Sequence, residues 1–185
     1  VLNTANYGIP QNRKRMFAIG YRRGEKNPNF PKPNDSKQNS WEAIKDIPTY
    51  LQDVELESGV YYGELDEKSR YVKRINSWDP TIENTSEGLS GLDPVNHSDK
   101  VRNRFSNVDQ GDQDDVSRYP RLNKKEPANT LRAGSSRERG THTPARPIHP
   151  EAPRCITVRE AARLQSFPDW FEFHPTKYHG LRQIG

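Results

Sequence analysis

Apolar residues are concentrated in a few short segments of the chain, and long polar stretches separate them. Residues 15–21, with the sequence Arg-Met-Phe-Ala-Ile-Gly-Tyr, form one apolar run and predict a buried strand. Residues 127–133 predict a second, short strand. Residues 24–38 are rich in Pro, Asn and Lys and predict a loop. The acidic stretch at residues 109–115 is expected to be exposed.

Three segments in the middle and near the start of the chain have helical patterns. Ser40 is placed to cap a helix over residues 41–47, which Pro48 would end. Residues 66–78 and 98–108 predict two further helices. All three are short, so the sequence predicts a structure in which irregular backbone separates small helical elements.

The clearest helix begins at Thr157. Residues 157–160 match a capping box, in which the Thr157 hydroxyl accepts a hydrogen bond from the Glu160 amide and the Glu160 carboxylate accepts one from the Thr157 amide. Pro168 would end this helix. An apolar stripe runs along it, formed by Val158, Ala161, Ala162 and Leu164.

The composition leaves little material for a hydrophobic core. Hydrophobic residues make up 30% of the chain and charged residues 29%, and the mean hydropathy is -1.11. The chain is therefore either partly disordered or a piece whose core is completed by another part. The second interpretation is favoured because the apolar residues cluster in well-formed segments. The absence of an initial Met agrees with a piece of a longer protein.

The charges are distributed unevenly around a net charge of +4. Residues 1–24 contain bases but no acid, residues 53–67 contain acids but no base, and residues 118–146 are again strongly basic. This alternation predicts a surface with one side that faces a polyanion, although a solvated charged surface is the simpler interpretation. A single cysteine excludes a disulfide framework and suits a reducing cytoplasm. No apolar run approaches the length of a membrane span, and no signal peptide is evident.

Three segments, taken in order, resemble the DNA cytosine-5 methyltransferase family. Residues 7–15 (Tyr-Gly-Ile-Pro-Gln-Asn-Arg-Lys-Arg) resemble its Gln-x-Arg-x-Arg motif. Residues 149–169, which run from His-Pro-Glu-Ala-Pro-Arg-Cys to Phe-Pro-Asp, resemble the segment that packs the recognition domain onto the catalytic domain. Residues 180–185 (Gly-Leu-Arg-Gln-Ile-Gly) resemble the opening of the final motif. Residues 22–115 match the family only in position and general character.

The resemblance implies an α/β fold. The chain would contain the edge portion of a Rossmann-like S-adenosylmethionine-dependent methyltransferase domain and a small, mostly β and irregular target-recognition domain. Residues 1–23 would provide a strand of the catalytic domain, residues 24–148 the recognition domain, and residues 149–185 the return to the catalytic domain. The helix that begins at Thr157 would pack between the two domains.

The resemblance also implies a reaction. The family transfers a methyl group from S-adenosylmethionine to carbon 5 of a cytosine that is flipped out of duplex DNA at a specific sequence, after a cysteine thiolate adds to carbon 6. Cys155 stands where the family has an apolar residue, so we interpret it as a small buried hydrophobe and not as the nucleophile. The chain is then expected to lack the cofactor site and to be inactive alone, and no metal site is predicted.

Two groups of residues would contact DNA by the resemblance. Arg15 would hydrogen-bond the carbonyl at carbon 2 of the target cytosine, and Arg13 or its neighbour would hold a phosphate. A recognition loop over residues 132–142 would contact bases and phosphates. Surface salt bridges for the arginines and an exposed mobile loop are the alternatives. The predicted DNA-binding residues are Gln11, Asn12, Arg132, Ser135, Ser136, Arg137, Arg139 and His142.

Three functional hypotheses remain open at this point. The chain is part of a bacterial restriction-modification methyltransferase, or a separate specificity subunit whose partner carries the cysteine and the cofactor site, or a stand-alone sequence-specific DNA-binding module. The expected partners are double-stranded DNA and the missing N-terminal catalytic half, with no membrane. Self-association is expected through the unpaired strand edge and an uncovered helix face. The stand-alone module alone predicts tight, specific DNA binding by the isolated chain.

Overall fold

A computed structural model describes residues 1–34, 37–57, 60–78, 88–134 and 146–185. Its regular elements are short, and the strands form two separate antiparallel pairs, β1 with β2 and β3 with β4. Short 3-10 helices cover Thr4–Tyr7 and Leu51–Asp53. In chain order the elements are β1 (Leu2–Asn3), β2 (Lys14–Arg15), α1 (Trp41–Ile44), β3 (Val60–Tyr61), α2 (Arg70–Asn76), β4 (Leu89–Ser90), α3 (Asp99–Ser106), α4 (Val158–Leu164) and α5 (Lys177–Ile184).

The largest core is built around α4, which contacts α1 on one side and α5 on the other. Every residue of α4 is buried. Helices of seven or eight residues are marginal in isolation, so packing of this kind must supply most of their stability. Apolar side chains of α1, α2, α4 and α5 meet here, joined by Leu122, Ala128 and Leu131. The core therefore combines residues from the first, middle and last parts of the chain.

The capping box at the start of α4 is confirmed. Thr157 Oγ1 accepts a hydrogen bond from the Glu160 amide at 3.2 Å, and Glu160 Oε2 accepts one from the Thr157 amide at 2.7 Å. The helices predicted at residues 66–78 and 98–108 are confirmed in shorter form as α2 and α3. The Ser69 hydroxyl caps α2 by accepting from the Val72 amide.

The prediction of a buried strand over residues 15–21 is wrong. Only Lys14 and Arg15 form a strand, β2, and residues 16–21 are exposed without regular structure. Met16 is 81% exposed, and Phe17, Ile19 and Tyr21 are each about half exposed or more. A buried strand needs neighbours on its edges and faces, and the described part of the chain pairs β2 only with β1.

The cap of α1 differs from the prediction. Ser40 has helical backbone angles, and its hydroxyl donates to the carbonyl of Asn123 at 2.7 Å. Asn39 takes the capping role instead, because its Oδ1 accepts from the Glu42 amide at 3.0 Å. The helix ends at Ile44, three residues before the predicted end. Ser40 thus fastens the start of α1 to the turn at residue 123.

The predicted strand over residues 127–133 is also wrong. Ala128 makes one isolated parallel bridge to Gln11, and the neighbouring residues are irregular. The middle of the chain is less rich in β structure than expected, since its described regular elements are three α-helices, one 3-10 helix and the pair β3–β4.

Within the acidic stretch 109–115, Asp114 is buried and paired with Arg104, against the prediction of full exposure.

None of the helices in the described ranges is long and apolar enough to cross a membrane.

Candidate nucleic-acid interface

Residues 10–12 lie directly beside residues 128–130, although more than a hundred residues separate them in sequence. The Ala128 amide donates to the Pro10 carbonyl at 2.8 Å, and the Asn12 amide donates to the Ala128 carbonyl at 2.8 Å. The Thr130 hydroxyl donates to the Asn12 carbonyl at 2.6 Å. These backbone contacts bring the basic segment at residues 13–15 to the segment that contains Arg132.

An open groove of about 780 Å³ lies where these segments meet. We call it the arginine groove. It unites three residues that the sequence assigned to DNA separately, Asn12, Arg15 and Arg132. Among the described residues its lining contains three cations, no carboxylate and three neutral polar side chains, namely Asn3, Asn12, Lys14, Arg15, Thr130 and Arg132.

Arg15 is exposed and is available to an anionic ligand. Its Nη1 donates to the Lys14 carbonyl at 2.7 Å, which leaves its other donors for a ligand. In the described part of the chain, no ion pair involves Arg13 or Arg15. The alternative that these arginines form surface salt bridges therefore has no support from the described residues.

Arg13 has a different position from Arg15. It is half-buried, and its Nη1 donates to the Leu131 carbonyl at 3.0 Å. Burial lowers the pKa of its guanidinium, and repulsion by Arg15 lowers that pKa further. Arg13 does not line the arginine groove. Its contact instead fixes the backbone immediately before Arg132.

Gln11 differs from the other predicted DNA-binding residues that the structure describes because it is buried. It was predicted to bind DNA, yet it is 1% exposed, and its backbone bridges Ala128 beneath the surface. Neither the nitrogen nor the oxygen of its carboxamide has a hydrogen-bond partner among the described residues. In this conformation Gln11 contacts Ala128 under the groove, and its side chain does not line the groove.

The remaining predicted residues, Ser135, Ser136, Arg137, Arg139 and His142, lie outside the described residues, so their arrangement is not part of the structure. The backbone that leads toward them is held tightly. A Cβ added to Gly185, at the end of α5, would lie closer than 3.0 Å to backbone atoms of Arg132 and Ala133. The end of α5 is thus in close contact with one wall of the arginine groove.

Cys155 is fully buried, as predicted for a small hydrophobe. It packs with Phe105 and Ile148 in a satellite core. Burial raises the pKa of its thiol to about 12, whereas a nucleophilic cysteine needs its pKa lowered. The thiol therefore has the properties of a packing group.

A buried ionic network around α4 was not predicted from the sequence. Arg163 is fully buried and donates to both carboxylate oxygens of Asp169, at 2.7 and 2.9 Å, and to Asp46 at 2.7 Å. Arg154 makes a second two-pronged pair with the fully buried Glu160, at 2.8 and 2.9 Å. Burial alone would raise the pKa of Glu160, but the charge and hydrogen bonds of Arg154 outweigh it and lower the pKa to about 2.

One further buried base, Arg159, is held by neutral oxygens. Its guanidinium donates to the carbonyls of Ser90, Pro168 and Phe171 and to the Ser90 hydroxyl, at 2.9–3.0 Å. Burial lowers the pKa of Arg159 to about 10. The sequence carried no clear signal for this network, because Arg159 and Arg163 stand four residues apart, a spacing that is equally typical of an exposed helix face.

The chemistry of the arginine groove, which combines cations with amide and hydroxyl groups, is that of a polyanion-binding protein. The sequence profile of the family described as C-5 cytosine-specific DNA methylase matches residues 1–185. The chain belongs to this family.

Individual relatives match the chain along its whole length. It is 41% identical over 199 residues to the type II methyltransferase M.XorII of Xanthomonas oryzae pv. oryzae, and 31% identical over 198 residues to M.NgoFVII of Neisseria gonorrhoeae. Each alignment covers 100% of this chain but only 45% and 44% of the relative. The chain therefore spans a little under half the length of these curated relatives.

A solved structure has a similar fold. It is described as a DNA modification methyltransferase encoded within an E. coli prophage, and it superposes on this chain with a TM-score of 0.80 at 29% sequence identity. The superposition covers 100% of this chain and 53% of that protein. The mixed α/β arrangement described above is thus shared with a protein described as a DNA methyltransferase.

Proposed function

We propose that this chain provides the DNA-recognition part of a type II DNA cytosine-5 methyltransferase. The enzyme would transfer a methyl group from S-adenosylmethionine to carbon 5 of a flipped cytosine within a specific duplex sequence. The observation that carries the proposal is the arginine groove. It places Asn12, Arg15 and Arg132 together, without a carboxylate, in a chain that matches the family over its full length.

Arg15 would have the role nearest to the chemistry. A guanidinium binds a carbonyl oxygen with a fixed charge, and it stabilises negative charge that develops on the pyrimidine ring. Arg132 would contact a base edge or a phosphate at the start of the recognition loop. Arg13 would act as a positioning residue, since its hydrogen bond holds the backbone at Leu131.

The thiolate, the acid and the binding site for S-adenosylmethionine would come from another part of the full protein. Cys155 is buried with a raised pKa, which does not suit a nucleophile. S-adenosylmethionine needs an enclosed, partly apolar site for its adenine ring. The arginine groove is open and lined by charged and polar side chains, so it does not fit that ligand. No step through the cofactor is assigned to these residues.

The exposed apolar run at residues 16–21 supports the presence of a complementary catalytic part in the full protein. Met16, Phe17, Ile19 and Tyr21 together present a surface that a soluble domain normally covers. We propose that this run joins the catalytic sheet in the full protein. We further propose that residues 24–148 form the recognition region, docked onto residues 149–185 through the shared core around α4.

Methyl transfer by the full protein tests the proposal. The protein is incubated with labelled S-adenosylmethionine and duplex DNA, and incorporation of label at cytosine is measured. Replacement of Arg15 by Ala is expected to lower kcat by about 100-fold or more, since it removes one preorganised donor from the reacting ring. Arg70→Ala, at an exposed position on α2, is the matched control and should leave kcat unchanged.

Two outcomes would contradict the proposal. Wild-type protein that binds duplex DNA but transfers no methyl group would favour the stand-alone DNA-binding module. Full activity of the Arg15→Ala variant would remove Arg15 from the site.

A further inference from the structure

A second depression continues the arginine groove toward α1. It is lined by residues 3, 5, 6 and 12 on one side and by residues 37–39 and 125–127 on the other. Asn3 and Asn12 line both depressions, so the two lie next to each other, and we call them together the channel. We call the second part the lysine depression, after Lys37 and Lys125.

The lysine depression has the chemistry of a phosphate-binding surface. Lys37 and Lys125 are both exposed, and no described residue pairs with either ammonium group. Among the described lining residues, the one carboxylate is that of Glu126. The other polar lining groups are the amides Asn3, Asn6, Asn12, Gln38 and Asn39. Lysine and amide groups contact phosphate oxygens without regard to base sequence.

Hydrogen bonds join Ser40, which follows residues 37–39, to the segment at residues 123–126, so the two segments that carry Lys37 and Lys125 are held together. The Ser40 amide donates to the Glu126 carbonyl at 2.8 Å, and the fully buried Ser40 hydroxyl donates to the Asn123 carbonyl at 2.7 Å. The Lys125 amide donates to Asn123 Oδ1 at 2.9 Å. Lys37 and Lys125 are therefore attached to backbone whose position is set before any ligand binds, which lowers the entropic cost of binding.

The amides shared by both depressions are also preset. Asn3 Oδ1 accepts from the Arg13 amide at 3.0 Å, and Asn3 Nδ2 donates to Asn12 Oδ1 at 3.2 Å. The Asn12 carboxamide nitrogen is left as a donor at the junction of the channel. Cations thus lie at both ends of the channel and amide donors lie between them, an arrangement that suits a chain of successive phosphates.

We propose that Lys37 and Lys125 extend the DNA-binding surface by holding the phosphodiester backbone beyond the arginine groove. The inference rests on the proposed function and adds to it a sequence-independent contact region. These lysines would contribute affinity and salt dependence, while the choice of target base would remain with other residues. Glu126 would weaken the contact, because its carboxylate repels the same phosphates.

The test measures binding of the full protein to a short mixed-sequence duplex at several salt concentrations. Each phosphate contact contributes about 0.9 to the slope of log affinity against log salt. The double variant Lys37→Ala/Lys125→Ala is therefore expected to lower the magnitude of that slope by about 2, with an unchanged pattern of methylated sites on plasmid DNA. Lys26→Ala/Lys100→Ala removes the same charge from exposed positions outside the channel and should leave the slope as in wild type.

Two further variants sharpen the experiment. Lys37→Arg/Lys125→Arg keeps both charges and should restore the wild-type slope. Glu126→Gln removes the one acid of the lysine depression and should tighten binding, by roughly two- to five-fold at low salt. Damage to the fold would weaken DNA binding in both variants, so tighter binding by Glu126→Gln would not have that cause.

Three outcomes would overturn the inference. An unchanged slope in the Lys37→Ala/Lys125→Ala variant, with methyl transfer intact, would remove the lysines from the DNA surface while the proposed function stands. A changed target sequence would mean that they contact bases. A loss of methyl transfer at saturating DNA, with the slope unchanged, would assign the surface to contact with another part of the protein. Wild-type protein that neither binds nor methylates DNA would overturn the proposed function as well.

Discussion

Arg163 is the residue on which the buried ionic network depends. It is fully buried and joins Asp169, six residues away, to Asp46, which lies 117 residues away in sequence. Burial would raise the pKa of Asp169, but the charge and hydrogen bonds of Arg163 outweigh it and lower that pKa to about 2. The Asp169 carboxylate thus stays ionised inside the protein because the guanidinium of Arg163 compensates its charge.

Replacing Arg163 by Met should therefore destabilise the protein strongly. The change keeps much of the side-chain volume but leaves Asp46 buried without its cation and Asp169 with Lys68 alone, at 3.4 Å, and breaking a buried pair typically costs about 3–5 kcal/mol. Chemical denaturation of the full protein measures the loss. Arg70→Met, at an exposed position on α2, is the control and should change the free energy of unfolding by less than about 0.5 kcal/mol. Equal stability of the two variants would contradict the assignment.

Sequence alone predicts contacts between residues that are close along the chain. The buried ionic network shows that it does not predict contacts between residues that are far apart along the chain. The bonds between Thr157 and Glu160 follow from a spacing of three residues and were predicted correctly. The pairing of Arg163 with Asp46 depends on how α1 packs against α4, which no local pattern encodes. The burial of Gln11 was missed for the same reason, because it depends on the distant Ala128.

At the scale of elements, α4 is the helix whose ends and faces are most fully specified. Its N-terminal amides are satisfied by the capping box, and its side chains are all buried. The contrast with α5 is informative. Thr176 stands at the corresponding N-cap position of α5, yet its side chain makes no capping hydrogen bond.

This contrast gives a matched pair of substitutions. Thr157→Ala removes the acceptor for the Glu160 amide and should lower the free energy of unfolding by about 1 kcal/mol, within a range of about 0.5–2 kcal/mol. Thr176→Ala removes the same atoms where no capping bond exists and should cost clearly less. Thermal or chemical denaturation of both variants compares them. A larger loss for Thr176→Ala would contradict the capping assignment.

The strand predictions failed for a physical reason that the helix predictions avoid. A helix satisfies its hydrogen bonds internally, so residues 66–78 and 98–108 predicted α2 and α3 from local pattern alone. A strand depends on neighbours that the local sequence does not identify. Residues 16–21 have the composition of a buried strand, but in the described structure nothing pairs with them.

At the scale of the whole molecule, the apolar side chains of the core around α4 are covered, whereas those of the run at residues 16–21 are exposed. The core is closed, since residues from α1, α2, α4 and α5 bury one another. The run is open, with Ile19 50% exposed and Met16 81% exposed. A single folded unit that leaves such a run uncovered is expected to use it for association, either with the proposed catalytic part or with a second copy.

Ile19→Asp tests this expectation in the full protein. If the catalytic part covers residue 19, the new carboxylate is buried without a partner and should lower stability by about 2 kcal/mol or more. Tyr50→Asp is the control, because Tyr50 is similarly exposed, at 52%, and is not part of the run. It should change stability by less than about 0.5 kcal/mol. Equal, small effects of both changes would mean that residue 19 stays in solvent in the full protein.

Gly185 links α5 to one wall of the arginine groove, and this contact bears on the exchange of segments between relatives. Any side chain at this position would press on the backbone of Arg132 and Ala133, whereas Gly20 has open space around it. The backbone at residues 132–133 is therefore positioned by α5 as well as by its own sequence. Transfer of a recognition segment between relatives should succeed only when the end of that helix is transferred with it.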